Sequence, residues 1–278
     1  MKILLDADML LFAATSATEV EVQLDDDVWT RHSELPAARE HYWNQLATWV
    51  EFYGCQMADV VHCFTDASAF RRDLFPEYKH NRKGKPKPIG YKPLRSELLT
   101  EDLAFMYSRV EADDLIGILA TQMLQDGEDY VIASGDKDLL QIPGRHIWTA
   151  TTKDPEPEEG LTIDHTADSV IKTTTVEYSE RFTYRQYLQG DSTDGIPGCP
   201  GIGEVRAKAI VGGFDLERPV DCWEAIVRTY EEAQRKKKLD LYNASTFATQ
   251  QARLVRILRR DEYCFDTHQV QLWNPPTH

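Results

Sequence analysis

Val110-Glu111-Ala112-Asp113-Asp114-Leu115-Ile116-Gly117-Ile118-Leu119-Ala120 places three carboxylates directly before an apolar run that continues to Met123 and Leu124. The pattern predicts a helix with an acidic first turn. Aligned N–H groups at a helix N-terminus stabilise anions, and acids are common there. Three together still repel one another unless something positive shares the site. A solvated capping cluster in an acidic protein is the plain alternative, and only the company these acids keep separates the two. Glu111 and Asp114 are three apart and can share a helix face, whereas Asp113 points about 100° away from Asp114. Either the helix begins at Asp114 or the three acids serve different positions.

Other acids follow a common pattern. Lys2-Ile3-Leu4-Leu5 is an apolar run closed by Asp6, and Met9-Leu10-Leu11-Phe12 then opens a helical pattern. Residues 59–66 repeat this, a β-branched run closed by Asp66, in which His62 and Cys63 read as buried strand residues. Residues 129–140 give a third strand ending in Asp136 and Asp138, whose spacing lets both approach one cation. In open α/β sheets ligands bind beyond the carboxyl ends of the strands, where these acids fall. Residues 37–52 read as a helix burying Trp43, Leu46, Trp49 and Val50, and residues 19–35 as acidic and irregular.

With 278 residues, 42% of them hydrophobic, the chain can build a substantial core. Five scattered cysteines without a CxxC pair suggest neither a disulfide framework nor a zinc site, and fit a reducing cytoplasm. No stretch approaches the roughly twenty apolar residues of a membrane span, so a soluble, unexported protein is expected. A formal charge of −15 argues against indiscriminate nucleic-acid binding, because Lys and Arg supply phosphate contacts. Charge distribution must then decide. Residues 70–87 are densely basic, with Lys79, Arg82, Lys83, Lys85 and Lys87 interleaved with Phe75 and Tyr78, a composition suited to single strands. Gly84, Pro86 and Pro88 predict a segment that is mobile until something binds. Residues 153–160 read as a proline-broken loop.

Residues 145–149 are a candidate strand and 178–188 a candidate helix. Asp191 and Asp194 then lead into Gly195-Ile196-Pro197-Gly198-Cys199-Pro200-Gly201-Ile202-Gly203, before a helix over 204–211. Amides of Gly201, Ile202 and Gly203 could hold a phosphate at that helix N-terminus, with Arg206 and Lys208 nearby. A plain turn between helices is the competing interpretation. Residues 223–238 and 244–260 read as amphipathic surface helices ending in basic residues.

Leu5-Asp6, Phe64-Thr65-Asp66, Phe75-Pro76-Glu77-Tyr78-Lys79-His80-Asn81-Arg82, and residues 110–114, 134–138 and 190–203, taken in order, resemble the 5′-nuclease family of flap endonucleases and 5′-3′ exonucleases, especially its bacteriophage members. A multipart match is far more specific than one acid cluster. The resemblance implies an α/β PIN-like fold with a mostly parallel sheet. It implies a catalytic domain over 1–175 with an arch at about 67–108, and a helical part over 176–278 with a helix-three-turn-helix element at about 185–212. The family's metal carboxylates fall on Asp6, Asp66, Glu111, Asp113, Asp114, Asp136, Asp138, Asp191 and Asp194, with Lys79 and Arg82 contacting the scissile phosphate. Those two, with Asp113 and Asp136, are the implied catalytic residues. Phe12 would stack on a terminal base. Arg71, Lys79, Arg82, Lys83, Lys85, Gly201, Gly203, Arg206 and Lys208 complete the implied DNA contacts. Where many members carry Lys after the second hairpin glycine, this chain has Glu204-Val205-Arg206.

Nine acids removed from a formal charge of −15 leave −6, so the cluster explains much of the imbalance. Two Mg²⁺ or Mn²⁺ ions would offset part of it, since oxygen-only ligation favours them over zinc. The resemblance further implies a K⁺ ion at the helix-three-turn-helix, a monomer, and DNA with 5′ ends or flaps as substrate. RNA–DNA hybrids and proteins of replication and repair are further candidate partners, in a bacterial or phage-infected cytoplasm. Two other readings compete. Asp6-x-Asp8 is also the signature of HAD-like aspartyl-phosphate phosphatases, which would leave the basic segment and glycine hairpin unused. A DNA-binding scaffold without catalysis has no reason to retain nine mutually repelling acids.

Overall fold

The first apolar run forms β1 (Lys2–Asp6), with Ile3 and Leu5 entering one core and Leu4 another. Burial on both faces explains why this strand reads as a continuous apolar run. A computed structural model describes residues 1–82, 84–149, 157–237 and 243–277. After β1 come α1 (Ala7–Ala17), β2 (Glu19–Asp25), β3 (Val28–Ser33), α2 (Leu35–Tyr53), β4 (Val60–Cys63), α3 (Arg71–Leu74), α4 (Tyr91–Leu98) and β5 (Ala104–Phe105). Next are α5 (Ala112–Asp126), β6 (Tyr130–Ala133), β7 (Gly144–Thr149), β8 (Leu161–His165) and β9 (Ser169–Thr174). The chain continues through α6 (Val176–Gln189), α7 (Glu204–Gly212), α8 (Pro219–Lys237), α9 (Ala244–Val255), β10 (Tyr263–Cys264) and β11 (Gln269–Val270).

The main sheet has the order β5-β4-β1-β6-β7-β9-β8. It is parallel from β5 to β7, and β9 and β8 extend it antiparallel. Leu10 and Leu11 of α1, Tyr42, Leu46 and Trp49 of α2, and Leu94 and Leu98 of α4 cover one face. Leu115, Ile116 and Ala120 of α5 join Ile257 on the other. A separate apolar cluster unites α6, α7, α8 and α9, and Tyr78 from the basic segment is buried in it. The mostly parallel α/β sheet implied by the resemblance is present.

Several local expectations need correction. Residues 19–33 are not irregular: Val20, Val22 and Leu24 alternate with Glu19, Glu21 and Gln23 in a hairpin whose acids mask the period of two. β8 and β9 were not anticipated. α5 starts at Ala112 with Glu111 as its N-cap, which excludes a start at Asp114. Of the loop read over 153–160, residues 153–156 lie outside the described residues. α9 ends at Val255, and residues 256–260 are not helical. They run across α5, where Ile257 and Leu258 are buried.

That crossing is tight at Gly117. A Cβ there would lie 2.4 Å from both Ile257 Cγ2 and the Leu258 carbonyl oxygen. Replacing a helical glycine with alanine ordinarily stabilises by roughly 0.5–1 kcal/mol. Here Gly117→Ala is expected to lower Tm, because backbone must move; a higher Tm in thermal denaturation would refute the crossing.

Candidate active site

β4, β1 and β6 are parallel neighbours, so the acids after them open on one edge of the sheet. Asp6 caps α1 by accepting from Met9 N at 3.1 Å, and its other oxygen accepts from Ser134 Oγ at 3.1 Å. Burial, with Asp8 and Asp136 adding repulsion, outweighs those hydrogen bonds and pushes its pKa up to about 7. Asp136 heads a short 3₁₀ turn and accepts from Asp138 N at 2.9 Å. Asp138 accepts from Gln186 Nε2 at 2.6 Å. Burial, then Asp136 and Asp191, raise the Asp138 carboxyl well above the usual range.

From there the acids continue without a break. Asp191 is buried and bridges to Ile196, holding Asp194 at the turn. Burial raises Asp194; Lys79 and Arg82 oppose that, while Asp191 and Glu111 reinforce it. Asp113 is raised well above the carboxylate range, first by burial and then by Asp114 and Glu111. Asp6, Asp136, Asp138, Asp191, Asp194, Glu111 and Asp113 therefore form one succession of repelling charges. Asp66 is differently engaged: its Oδ2 accepts from Ser68 and from Arg109 N at 2.9 Å. Burial would raise it, yet these bonds hold it low.

Glu111, Asp113 and Asp114 bring carboxylate oxygens within 4.8 Å of one another, a donor set suited to a hard cation. The three are not equivalent. Asp114 accepts from Arg71 through both oxygens, at 2.5 and 2.7 Å, and from the amides of Glu111 and Leu258, each at 3.2 Å. These bonds occupy the roughly four acceptor positions of a carboxylate. Glu111 accepts from Lys79 Nζ at 2.5 Å, Tyr78 Oη at 2.7 Å and Arg71 at 3.1 Å. Burial alone would raise Glu111, but Lys79 and Arg71, with those hydrogen bonds, hold its pKa down at about 2. Asp113 accepts only a local bond, from Asp114 N, among the side-chain bonds found here. It is the least encumbered of the three.

Lys79 sits in the left-handed region at φ 56°, and its amide donates to Asp194 O at 2.8 Å. Its ammonium also lies 3.5 Å from Asp194, whose other oxygen pairs with Arg82. Non-glycine residues in that region store strain that surrounding contacts must hold, often at functional sites. Asn81 donates to the carbonyls of Ser192 and Thr193. The segment expected to stand free until ligand binds is thus stitched to the 190–196 turn through residues 78–82.

The predicted DNA contacts separate into groups. Phe12, 48% exposed on α1, and exposed Lys85 are accessible; Lys83 lies outside the described residues. Arg71 is a correction. It is 2% exposed and wholly engaged with Asp114, Glu111 and main-chain oxygens, so it cannot meet DNA. Gly203 caps α7 and Gly201 has φ 82°, but the Ile202 amide already donates to Cys199 O and cannot hold a phosphate. Arg206 donates to Gly201 O, and Lys208 pairs with Glu158. Asp8 accepts from Thr65 N at 2.7 Å, Tyr91 Oη at 2.6 Å and Arg95 Nε at 3.1 Å. That engagement removes the free second acid a phosphatase would need. Tyr78, read from the sequence as an aromatic of a single-strand contact surface, is instead buried, donating to Glu111 with Asp194 also in reach at 3.1 Å; Ser134 and Gln186 were assigned no role. Tyr78 stood inside a recognised motif; Gln186 carried no signal.

Carboxylates clustered at the edge of a parallel sheet, with two cations drawn over them, define a phosphodiester-hydrolase class of site. The chain belongs to the 5′-3′ exonuclease family of nucleases, and residues 2–177 match its N-terminal, resolvase-like domain. It is 26% identical over 302 residues to the exodeoxyribonuclease of Enterobacteria phage T3, covering 98% of this chain and 92% of that protein. Identity to the exonuclease of Escherichia phage T7 is also 26%, over 301 residues, with 98% and 93% covered. A solved structure of the bacteriophage T5 flap endonuclease, in a pseudo-enzyme–product complex with DNA and metal ions, shares the fold at TM-score 0.54 and 16% identity. The match covers 91% of this chain and 92% of that one.

Raised acid pKa values have a consequence for stability. Asp6, Asp113 and Asp138 hold protons more tightly folded than unfolded, so their contribution falls as pH rises above the ordinary carboxylate range of about 4, for Asp6 through about 7. Glu111, held low, acts oppositely, but only below about 4.5. Metal-free protein is therefore expected to melt at a lower temperature at pH 8 than at pH 5.5, with Mg²⁺ restoring the loss. Calorimetric melting at both pH values, with EDTA or Mg²⁺, tests this; a pH-independent Tm would show that the acids do not repel as described.

Proposed function

We propose that this protein hydrolyses phosphodiester bonds of DNA from 5′ ends or at 5′ flaps, using two divalent cations. The observation that carries the reading is the gathering of acids beyond parallel strands β1, β4 and β6 and of Glu111, Asp113 and Asp114 within 4.8 Å of one another, with Lys79 and Arg82 paired to Glu111 and Asp194. Asp6, Asp66, Glu111, Asp113, Asp136, Asp138, Asp191 and Asp194 would hold the cations, while Asp114, placed among the metal carboxylates by the resemblance, would instead support the site, its oxygens accepting from Arg71 and from the Glu111 amide. Donors that are all oxygen suit Mg²⁺ or Mn²⁺. A bound pair of such ions makes hydroxide available near neutral pH and neutralises charge on attacking and leaving oxygens.

The chain's own groups do the rest. Ser134 orients Asp6, and Tyr78 ties Glu111 to Asp194. Lys79 and Arg82, whose charges are balanced by Glu111 and Asp194, lie where they can stabilise charge on a scissile phosphate. Phe12 offers an exposed ring on α1 for a terminal base.

The proposal includes a division of labour. Residues 1–175 form the catalytic part, with an arch at about 67–108, and residues 176–278 form a helical part. Within it α6, the glycine-rich turn and α7 act as a helix-three-turn-helix at about 185–212, with K⁺ at the turn. Support comes from the helix–turn–helix order itself, and from the DNA and metal ions of the T5 complex. The protein would act as a monomer in a bacterial or phage-infected cytoplasm. No helix among the described residues is long and apolar enough to cross a membrane.

Digestion of end-labelled duplex, nicked, flap and RNA–DNA hybrid substrates with Mg²⁺ tests the reading and sorts exonuclease from flap cleavage. Asp113→Asn is expected to abolish cleavage while retaining DNA binding in Ca²⁺; full activity would remove Asp113 from the site. In single-turnover assays, Lys79→Ala should slow cleavage by about 10²–10³-fold, the scale for one electrostatic stabiliser. An unchanged rate would exclude it from the chemistry.

A further inference from the structure

At the C-terminal end of α9 and just beyond it, the main-chain groups of residues 254–258 address two sides of the molecule. Leu254 O and Arg256 O accept from Arg71 at 2.8 and 2.7 Å, and Leu258 N donates to Asp114 at 3.2 Å. The intervening residues turn the other way. Val255 O accepts from Gln141 Nε2 at 2.8 Å, and Ile257 N donates to Gln141 Oε1 at 3.1 Å. Leu254 and Val255 close α9, where the last carbonyls lack partners within the helix, and Arg256 beyond them is extended, so one short stretch supplies both sides.

Each side leads to the acid edge. Arg71 carries one connection to Asp114 and Glu111. On the other, Gln141 Nε2 donates to Gln186 Oε1, and Gln186 Nε2 donates to Asp138 Oδ1 at 2.6 Å. Gln141 and Gln186 are each 1% exposed, so neither amide has water as a substitute partner. The order of donors and acceptors is therefore fixed. Gln141 spends its oxygen on Ile257 and both its N–H groups on Val255 and Gln186, so Gln186 must present an N–H to Asp138.

We propose that Gln141 and Gln186 are positioning residues for Asp138, and that residues 254–258 act as a shared beam fixing the two ends of the acid edge relative to each other. The inference rests on the reading that Asp138 helps to hold a divalent cation. Groups that orient metal ligands typically contribute 10–100-fold to affinity or activity.

In the full chain, Gln186→Met preserves side-chain volume but removes the amide. Mn²⁺ titration calorimetry without DNA is expected to show affinity weakened about 10–100-fold. The same variant should lose kcat on a nicked substrate while KM for DNA stays unchanged, and Gln141→Met should show a smaller loss of the same kind. Wild-type protein that binds no Mn²⁺ would overturn the cation reading and this proposal together. Wild-type binding with equal affinity in Gln186→Met would overturn the positioning role alone. Should the variants fail to fold, hydrogen exchange on wild-type protein decides: saturating Mn²⁺ should slow the Ile257 and Leu258 amides more than the Leu46 amide of α2. An equal effect at all three would refute the beam.

Discussion

Arg71 sets each of its guanidinium N–H groups against an oxygen: Leu254 O, Arg256 O, both oxygens of Asp114 and one of Glu111. Removing a guanidinium from water costs several kcal/mol, and only a complete set of partners in good geometry offsets that. One side chain thereby ties the basic segment, the acidic helix and the C-terminal part together. It also makes the acids unequal. Asp114 becomes an anchor with its acceptor positions filled, Glu111 is kept ionised, and Asp113 is left with unbalanced charge.

That inequality turns a row of repelling carboxylates into a site. Had every acid found a cationic partner, the edge would be electrostatically satisfied and would have little affinity for a metal. Instead the positive charges lie at the Glu111–Asp194 end, while Asp6 and Asp138 are pushed up by burial and by repulsion from neighbouring acids. The folded chain holds these charges together because the sheet, the 190–196 turn and residues 254–258 leave them nowhere else to go. Stability given up there is offset by burial in the apolar clusters on both faces of the sheet and among α6 to α9.

Much of this was legible beforehand where the signal is local. An apolar run closed by an acid marks a strand end for Asp6 and Asp66 alike, and strand parallelism then brings such ends to one edge. The same local reasoning failed at Arg71, which sits in a basic run and looks like a phosphate contact until burial is known. It failed at residues 19–33, where acidic side chains on one face obscured strand periodicity, and at 256–260, where helical spacing carried past the end of α9. It could not find Gln141 or Gln186 at all. A buried glutamine reveals its role only through partners far away in the chain.

The amino-acid sequence by itself determined which residue types stand at the ends of the strands, because hydrophobic periodicity and acid placement are properties of neighbouring residues. It also determined the family, through the order of several motifs. Only the tertiary structure decided which acids are free and which are anchors. That distinction depends on desolvation and on donors brought from positions as distant as Arg71 and Leu258, and no spacing along the chain encodes it.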